Sequence, residues 1–496
     1  MTGRARSSSD VAPAPAPVQA PAQRDPTPTS QAQNPADGTK PRSGRASREP
    51  ARADQGRPSS PASRPSVDAY ELLRSEVLAA IQARRVEATD DGAVRQLVRD
   101  LVEGYQAQAR SGFGGRPLAD PAAMVARLCQ SVLEYGPLTP FVVGGEVFEE
   151  ILVVGGDVAY VDNEGRLAML DEPFTESEMR SIIDRLLATV GASVDESQPM
   201  IQAQILDGQG RLGVVIPPIA DRLNASLRRY VMRHETLERL IAWDALTPAA
   251  ASLLAASTHT PTGVVVTGQP SSGKTSLANA ILRAAPETLR VICCEDTPEI
   301  NPEHLTPFRW RTRRAGPDGG GHVSLRDLVR MALGMRPDLI AVGEVRGAEA
   351  YELTRAGNAG CGMITTLHSN SARAGLQALM STAIMAGQNV DAAQVRSVFC
   401  SIVDLVVHLE REPLQVKRPG QGRIRRQVME IAAIPPLQGS ESDFSVEPIF
   451  VREELGAPLR RTGAPLPEDL RVRLDRALRS RGASVQGILD GEDVLV

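Results

Sequence analysis

Gly268-Gln269-Pro270-Ser271-Ser272-Gly273-Lys274-Thr275 is the stretch from which the fold can be read. It has the form G-x-x-x-x-G-K-[ST] of a phosphate-binding loop. Val264-Val265-Val266-Thr267 before it is a β-branched run that reads as a buried strand. Ser276-Leu277-Ala278-Asn279-Ala280-Ile281-Leu282 after it reads as the start of a helix. Strand, loop and helix in that order are the context the motif requires. The glycines let the backbone turn tightly, so that its N–H groups converge on phosphate oxygens. The helix start adds its positive end. Lys274 is placed to reach the β- and γ-phosphates, and the Thr275 hydroxyl to bind Mg²⁺. Of the 55 lysines and arginines in the chain only three are lysines: Lys40, Lys274 and Lys417. A compact ammonium kept at this position suits a narrow phosphate site better than a planar guanidinium does.

Working outward, the strands after this loop also end in polar groups. Val291-Ile292-Cys293-Cys294 runs into Glu295-Asp296, Leu339-Ile340-Ala341-Val342 into Gly343-Glu344, and Met363-Ile364-Thr365-Thr366-Leu367 into His368. With helices between them these strands predict a parallel α/β sheet, whose ligands sit beyond the carboxyl ends of its strands. Asp338 and Glu344 flank one strand, on the order of 20 Å apart at about 3.3 Å per residue. Glu344 lies at the phosphate end and is assigned to the Mg²⁺ shell or to polarising the attacking water. Asp338 opens the strand at the far end. Glu295 and Asp296 are candidates for a second carboxylate near Mg²⁺, and His368 for sensing the γ-phosphate or holding water. Cys293 and Cys294 read as core.

The chain has 496 residues, 42% of them hydrophobic but only 3% aromatic. That length suggests about three domains. Residues 1–66 hold 12 prolines, 10 basic and 5 acidic side chains and read as a disordered Pro/Ala/Ser/Arg-rich tail. The net charge of −5 less the tail's +5 leaves −10 on the remainder, which argues against a surface that tracks duplex nucleic acid. Helical periodicity from Val67 (Tyr70, Leu72, Leu73, Val77, Leu78 and Ile81), over 93–107 and over 121–133 predicts a helical bundle in residues 67–135. Asp120 is placed to cap the third helix. Residues 136–234 read as an α+β domain, with strands at 148–154, 158–161, 167–169, 201–206, 211–216 and 225–231 and a helix at 176–189. Residues 235–247 read as a linker, 248–455 as the phosphate-loop domain with a terminal strand over 423–434, and 456–496 as an extension with one helix on Leu470, Leu474 and Leu478. The five cysteines show no paired spacing and read as reduced thiols, no apolar run approaches 18 residues, and the N-terminus has no apolar signal core. A cytoplasmic protein is the expectation.

Together, Gly268–Thr275, Cys294-Glu295-Asp296-Thr297-Pro298-Glu299, the run from Met335 to Ala350 containing Gly343-Glu344-Val345-Arg346, and Thr366-Leu367-His368-Ser369-Asn370-Ser371 resemble the type II/type IV secretion ATPase superfamily. The Tad/Flp-pilus assembly branch is most similar. Tyr135-Gly136-Pro137-Leu138, Val194–Met200 and Val215-Ile216-Pro217-Pro218 fit the same group, so the resemblance covers about residues 130–435. It implies a RecA-like ATPase domain preceded by an α+β, PAS-like domain. It further implies a homo-hexameric ring that hydrolyses ATP with Mg²⁺ at the cytoplasmic face of a membrane, against an inner-membrane platform protein. Walker A then maps to Gly268–Thr275 with Ser276, the Asp box to Glu295 and Asp296, Walker B to Glu344 and the His box to His368. By position Arg211, Arg228 and Arg229 match the arginines that reach the γ-phosphate. The sequence departs from the family pattern in two places. Gly213 stands where Asn is usual, and Asn358–Met363 is one residue shorter than the usual form and lacks its His and Ser. The absence of any C-x-x-C pair argues against a zinc site and favours the Tad or conjugative branches. Two other readings share the same core: a nucleic-acid motor, disfavoured by acidity and few aromatics, and a non-hydrolysing nucleotide-binding scaffold, disfavoured by Glu344 and Lys274.

Overall fold

A computed structural model describes residues 67–84, 90–113, 115–170, 174–230, 235–313, 315, 320–386, 391–416, 418, 422–437 and 443–496. The tail expected over 1–66 lies outside the described residues.

Three helices come first: α1 (Val67–Arg84), α2 (Asp91–Arg110) and α3 (Pro121–Leu133). Asp120 caps α3 by accepting the Ala123 N–H at 2.9 Å, with Pro121 at the first helical position. Leu73, Val77, Val98, Val102 and Leu128 form the core between them. Leu72 and Leu78, read with the apolar face, are 48% and 36% exposed. Helix α1 is pinned to the adjoining α+β region through Glu178, which is fully buried. Arg127 forks onto its carboxylate at 2.7 and 2.9 Å, and the Tyr70 hydroxyl donates to it at 2.7 Å.

After the short helix α4 (Thr139–Val142) come β1 (Phe148–Val154), β2 (Asp157–Asp162), β3 (Arg166–Met169), α5 (Glu176–Ala188), β4 (Met200–Ile205), β5 (Gly210–Val215) and β6 (Asn224–Arg229). The strands form an antiparallel sheet in the order β3-β2-β1-β6-β5-β4. Ile182, Ile183, Leu186 and Leu187 of α5 pack against it.

The segment 235–247, expected as a bare linker, contains α6 (Leu237–Ala242). Thr236 caps it, with its side chain accepting the Arg239 N–H. The remaining elements are α7 (Pro248–Ser257), β7 (Gly263–Gly268), α8 (Lys274–Arg283), β8 (Val291–Glu295), β9 (Phe308–Arg311), α9 (Leu325–Gly334), β10 (Leu339–Val342), α10 (Glu349–Asn358), β11 (Gly362–His368), α11 (Ala372–Met385), α12 (Ala392–Ile402), β12 (Leu405–Arg411), β13 (Gln415–Val416), β14 (Arg426–Ala433), β15 (Glu447–Val451), β16 (Arg460–Arg461), α13 (Glu468–Leu478) and α14 (Val485–Asp490). The sheet runs β16-β15-β14-β12-β7-β11-β10-β8-β9. Its six strands from β12 to β9 are parallel, and β14, β15 and β16 extend it antiparallel. The parallel α/β class expected for this region is thus observed.

Alternation along β7 explains why this strand is central. Val264 and Val266 face a core with α7, α8, α13 and α14, while Val265 faces a core with α9 to α12. Leu470, Leu474 and Leu478 belong to the first of these cores, so the segment expected as an extension is built into the sheet's packing. One further connection joins the two sheets. Between β12 and β14 the chain leaves the second sheet, and β13 pairs with β3 in the first through Gln415↔Arg166 and Val416↔Leu167. On the way back the Ile424 N–H donates to Glu164 O at 3.2 Å, and Arg426 pairs with Glu149 at 2.7 Å.

Candidate nucleotide-binding site

The strand register gathers the polar ends. His368, last in β11, lies opposite Gly268, last in β7. Val342, just before Gly343-Glu344, lies opposite Cys294, just before Glu295. Gly273 turns the chain into α8 with φ +96°, in the left-handed region where a side chain is strained, and no side chain caps the helix. Its first-turn N–H groups thus face the loop. The crest, Gln269, Pro270 and Ser271, is exposed, Ser272 is buried, and Thr275 and Ser276 are half-buried in the first turn.

Lys274 is 7% exposed. Its ammonium donates to Gly268 O at 3.2 Å, to Gln269 O at 3.0 Å and to His368 Nδ1 at 3.1 Å. Because an ammonium only donates, the Lys274 contact selects the tautomer whose Nδ1 accepts and whose proton sits on Nε2, over the one that would donate from Nδ1 to Gly268 O at 3.3 Å. That nitrogen lies 3.1 Å from Glu344 Oε1 and donates to it. Arg346 closes the chain with a two-point fork, Nε to Oε1 at 2.6 Å and Nη2 to Oε2 at 2.5 Å. Lysine, histidine, glutamate and arginine therefore form one charged relay along the strand ends.

Each group is perturbed in a way the relay explains. Burial lowers Lys274 to about 8, against the pull of Glu344. Burial also lowers His368, and the neighbouring Lys274 cation adds to it. Burial works to raise the Glu344 carboxyl, but Arg346, His368 and Lys274 together hold it below the ordinary carboxylate value. Glu295 goes the other way. Burial pushes it up to about 8, although its Oε1 accepts the Glu299 and Ile300 N–H groups at 2.9 Å each. It sits under the 296–300 loop and shapes it. Asp296 is exposed at the rim, near enough to Arg346 to raise its pKa. Asp338 lies at the opposite strand end, where it accepts the Arg290 N–H at 2.7 Å.

The three arginines of the first sheet separate. Arg228 comes close enough to Lys274 to lower its pKa, and Arg211 is its cross-strand partner in β5, on the same face. Arg229, one residue on, points to the other face as strand pleating requires. There it donates to Glu146 O at 3.1 Å and lies over the Phe148 ring, 5.7 Å from its centroid. Within the chain Arg229 thus packs in its own sheet, on the face away from Lys274. Arg346 was not singled out in the sequence, although its spacing of two from Glu344 is the signal that could have found it.

The cradle fits a phosphate chain. A Cβ on Gly268 would meet Leu409 O at 2.3 Å, so only glycine lets the loop lie against β12. Thr275, Asp296 and Glu344 are oxygen donors of the kind Mg²⁺ prefers.

Loop, sheet and relay define a P-loop α/β protein that carries a second, antiparallel sheet. Its family comes from comparison with known proteins: residues 133–426 match the family described as type II/IV secretion system protein, and the chain belongs to that family. A putative conjugal transfer protein of Mycobacterium tuberculosis is 35% identical over 299 residues, 58% of this chain and 82% of that one. The probable conjugal transfer protein TrbB of Sinorhizobium fredii is 30% identical over 255 residues, 49% of this chain and 75% of that one. Among solved structures, the VirB11 ATPase from the Brucella suis type IV secretion system is 22% identical, covering 59% of this chain and 95% of that one at a TM-score of 0.31, too low to bear on the fold.

Proposed function

We propose that the chain is an ATP-hydrolysing motor of a secretion or pilus-assembly system, working as a homo-hexamer on the cytoplasmic face of a bacterial membrane against an inner-membrane platform protein. The observation that carries this reading is the Lys274–His368–Glu344 relay lying against the phosphate loop. The loop N–H groups and Lys274 hold the β- and γ-phosphates. Thr275, Asp296 and Glu344 would hold Mg²⁺, which would supply neutralisation of the phosphate charge. Glu344 orients the attacking water, and the held-down pKa of Glu344 keeps it an anion at neutral pH. Glu295, the second acidic group of the pair, is pushed up to about 8 and supports the 296–300 loop as a neutral acid rather than as a second base. His368 ties the state of Lys274 to that of Glu344, so a lysine drawn to phosphate frees the histidine's Nδ1. Arg228, with Arg211, supplies positive charge from the first sheet as charge builds on the phosphoryl oxygens.

Among the described residues no helix is long and apolar enough to cross a membrane. Assembly of a Tad/Flp pilus is the system the resemblance favours. A conjugative type IV secretion role is the second reading, supported by relatives named as conjugal transfer proteins. Glu344→Gln is expected to bind ATP and to turn over about 100-fold more slowly or worse, and Lys274→Ala to lose nucleotide binding. Unchanged phosphate release by Glu344→Gln refutes the assignment. Stimulation of turnover by single-stranded DNA would favour a nucleic-acid motor instead.

A further inference from the structure

A cavity of about 150 Å³ opens beside the phosphate loop. Four separate stretches wall it: the end of the phosphate loop with the start of α8, the segment around α6, Leu409 of β12, and the chain entering β14. Ser272, Gly273 and Ser276 border it, so the cavity adjoins the end of the phosphate loop, within reach of a nucleoside joined to phosphates there. Leu240 and Trp243 make an apolar wall. The guanidinium of Arg423 lies 3.7 Å over the Trp243 ring centroid and keeps that side closed.

The wall also carries three buried polar atoms with no hydrogen-bond partner: Glu235 Oε2, Ser272 Oγ and Arg426 Nε. Glu235 is 2% exposed. Its nearest cation, Arg239 Nε at 3.4 Å, makes no hydrogen bond with that oxygen. Orphaned polar atoms are costly, and a group of them lining one cavity calls for a polar ligand that satisfies them together. Their chemistry is specific. A carboxylate oxygen only accepts, Arg426 Nε only donates, and a hydroxyl does either. The ligand must therefore be flat, largely apolar on its faces, and must offer an N–H donor towards Glu235 and an acceptor towards Arg426.

We infer that this cavity is the base subsite and that Glu235 selects a 6-aminopurine, accepting from its exocyclic amine. This rests on the reading of Gly268–Thr275 as a nucleotide loop. A 6-oxopurine puts a lone pair where the amine would be, directly against the carboxylate oxygen, and leaves that oxygen unpaired. Glu235 is the specificity-determining residue, and Trp243 reports on occupancy.

The chain has two tryptophans, Trp243 and Trp310, so Trp310→Phe in the full chain leaves Trp243 as the sole indole emitter. The probes are ADP, IDP and inorganic tripolyphosphate. ADP is expected to change Trp243 emission. Tripolyphosphate should displace ADP and by itself leave the emission unmoved. ADP should bind tighter than IDP by about tenfold or more, and Glu235→Gln, whose amide can turn to donate or accept, should bring the two within about threefold. Tripolyphosphate affinity in Glu235→Gln should stay at the parent value, which also shows that the variant is folded. If ADP binds and is displaced by tripolyphosphate, yet Trp243 is silent or Glu235→Gln keeps the full ADP preference, the base subsite is refuted and the phosphate loop stands. If neither ADP nor tripolyphosphate binds, the loop reading falls, and this one with it.

Discussion

Gly268 and Gly273 open and close the same motif, yet the structure gives them different reasons to be glycine. At Gly268 a Cβ would lie 2.3 Å from Leu409 O and 2.7 Å from Ser272 Oγ. The first of these is backbone of β12, held opposite Gly268 in the parallel ladder. Relieving the contact means parting two central strands by roughly an ångström, which overpacking data put at about 1–3 kcal/mol. The backbone angle of φ +153° adds strain of about 1–3 kcal/mol for a residue with a side chain. Gly268→Ala should therefore cost about 2–6 kcal/mol of folding stability. At Gly273 the nearest atom to a Cβ is Arg426 Cδ at 4.0 Å, an ordinary contact. Only the φ of +96° is unfavourable, at about 1–2 kcal/mol. Urea unfolding monitored by circular dichroism, with the slope checked for constancy, separates the two. Gly268→Ala should lower the midpoint at least about twice as far as Gly273→Ala. Gly273→Ala should remain folded while losing affinity for tripolyphosphate, because its turn aims the first N–H groups of α8. Equal midpoint shifts, or a larger one for Gly273→Ala, would show that the β12 carbonyl does not confine the loop.

Glu295 gives a prediction in pH. Its folded-state value of about 8 lies above the ordinary 4.5, so the folded chain holds a proton that the unfolded chain releases. Stability should fall as pH rises from about 4.5 to about 8. Glu295→Gln keeps the acceptor for the Glu299 and Ile300 N–H groups without the charge. Its melting temperature relative to the parent should therefore climb between pH 5 and pH 9, and a flat difference would contradict the burial argument. Arg228→Ala should depress turnover with little change in melting temperature, whereas Arg229→Ala should do the reverse. Steady-state phosphate release and thermal scans on the two variants check this pair.

The strands that announce themselves by β-branched runs, β7, β10 and β11, were legible in the sequence, and so was the convergence of Lys274, Glu344 and His368. Their legibility has a physical source: in a parallel sheet the chain must place every strand's carboxyl end on one edge. What could not be read depends on contacts between distant residues. Strand β9 is a polar edge with Phe308, Arg309 and Arg311 exposed, so it lacks the apolar signature of its neighbours. Helix α6 is six residues long, too short for periodicity to show. Strand β12 begins only two residues after α12 ends, with Val403 and Asp404 between them and no Gly or Pro to mark the turn. Glu235, Trp243 and Arg426 meet only because β14 returns beside β12. A run of two arginines in a strand faces two ways, so position alone does not say which of Arg228 and Arg229 faces Lys274.

Besides the segment 235–247, which leads into the second sheet, the chain goes out to the first sheet and back again between β12 and β14. The outward limb of this excursion carries Arg411, whose Nε donates to Pro270 O at 2.9 Å on the crest of the phosphate loop. Its far end is stitched to β3 by two residues of ladder, and its return limb is fastened by Arg426 to Glu149. A swing of the first sheet away from the second has two choices. It can unzip that short stitch, or it can drag the hairpin and, through Arg411, tug on Pro270. In mechanical terms the hairpin is a drawbar: it lets displacement of one sheet be felt as tension at the loop of the other, within a single chain and without any neighbouring copy.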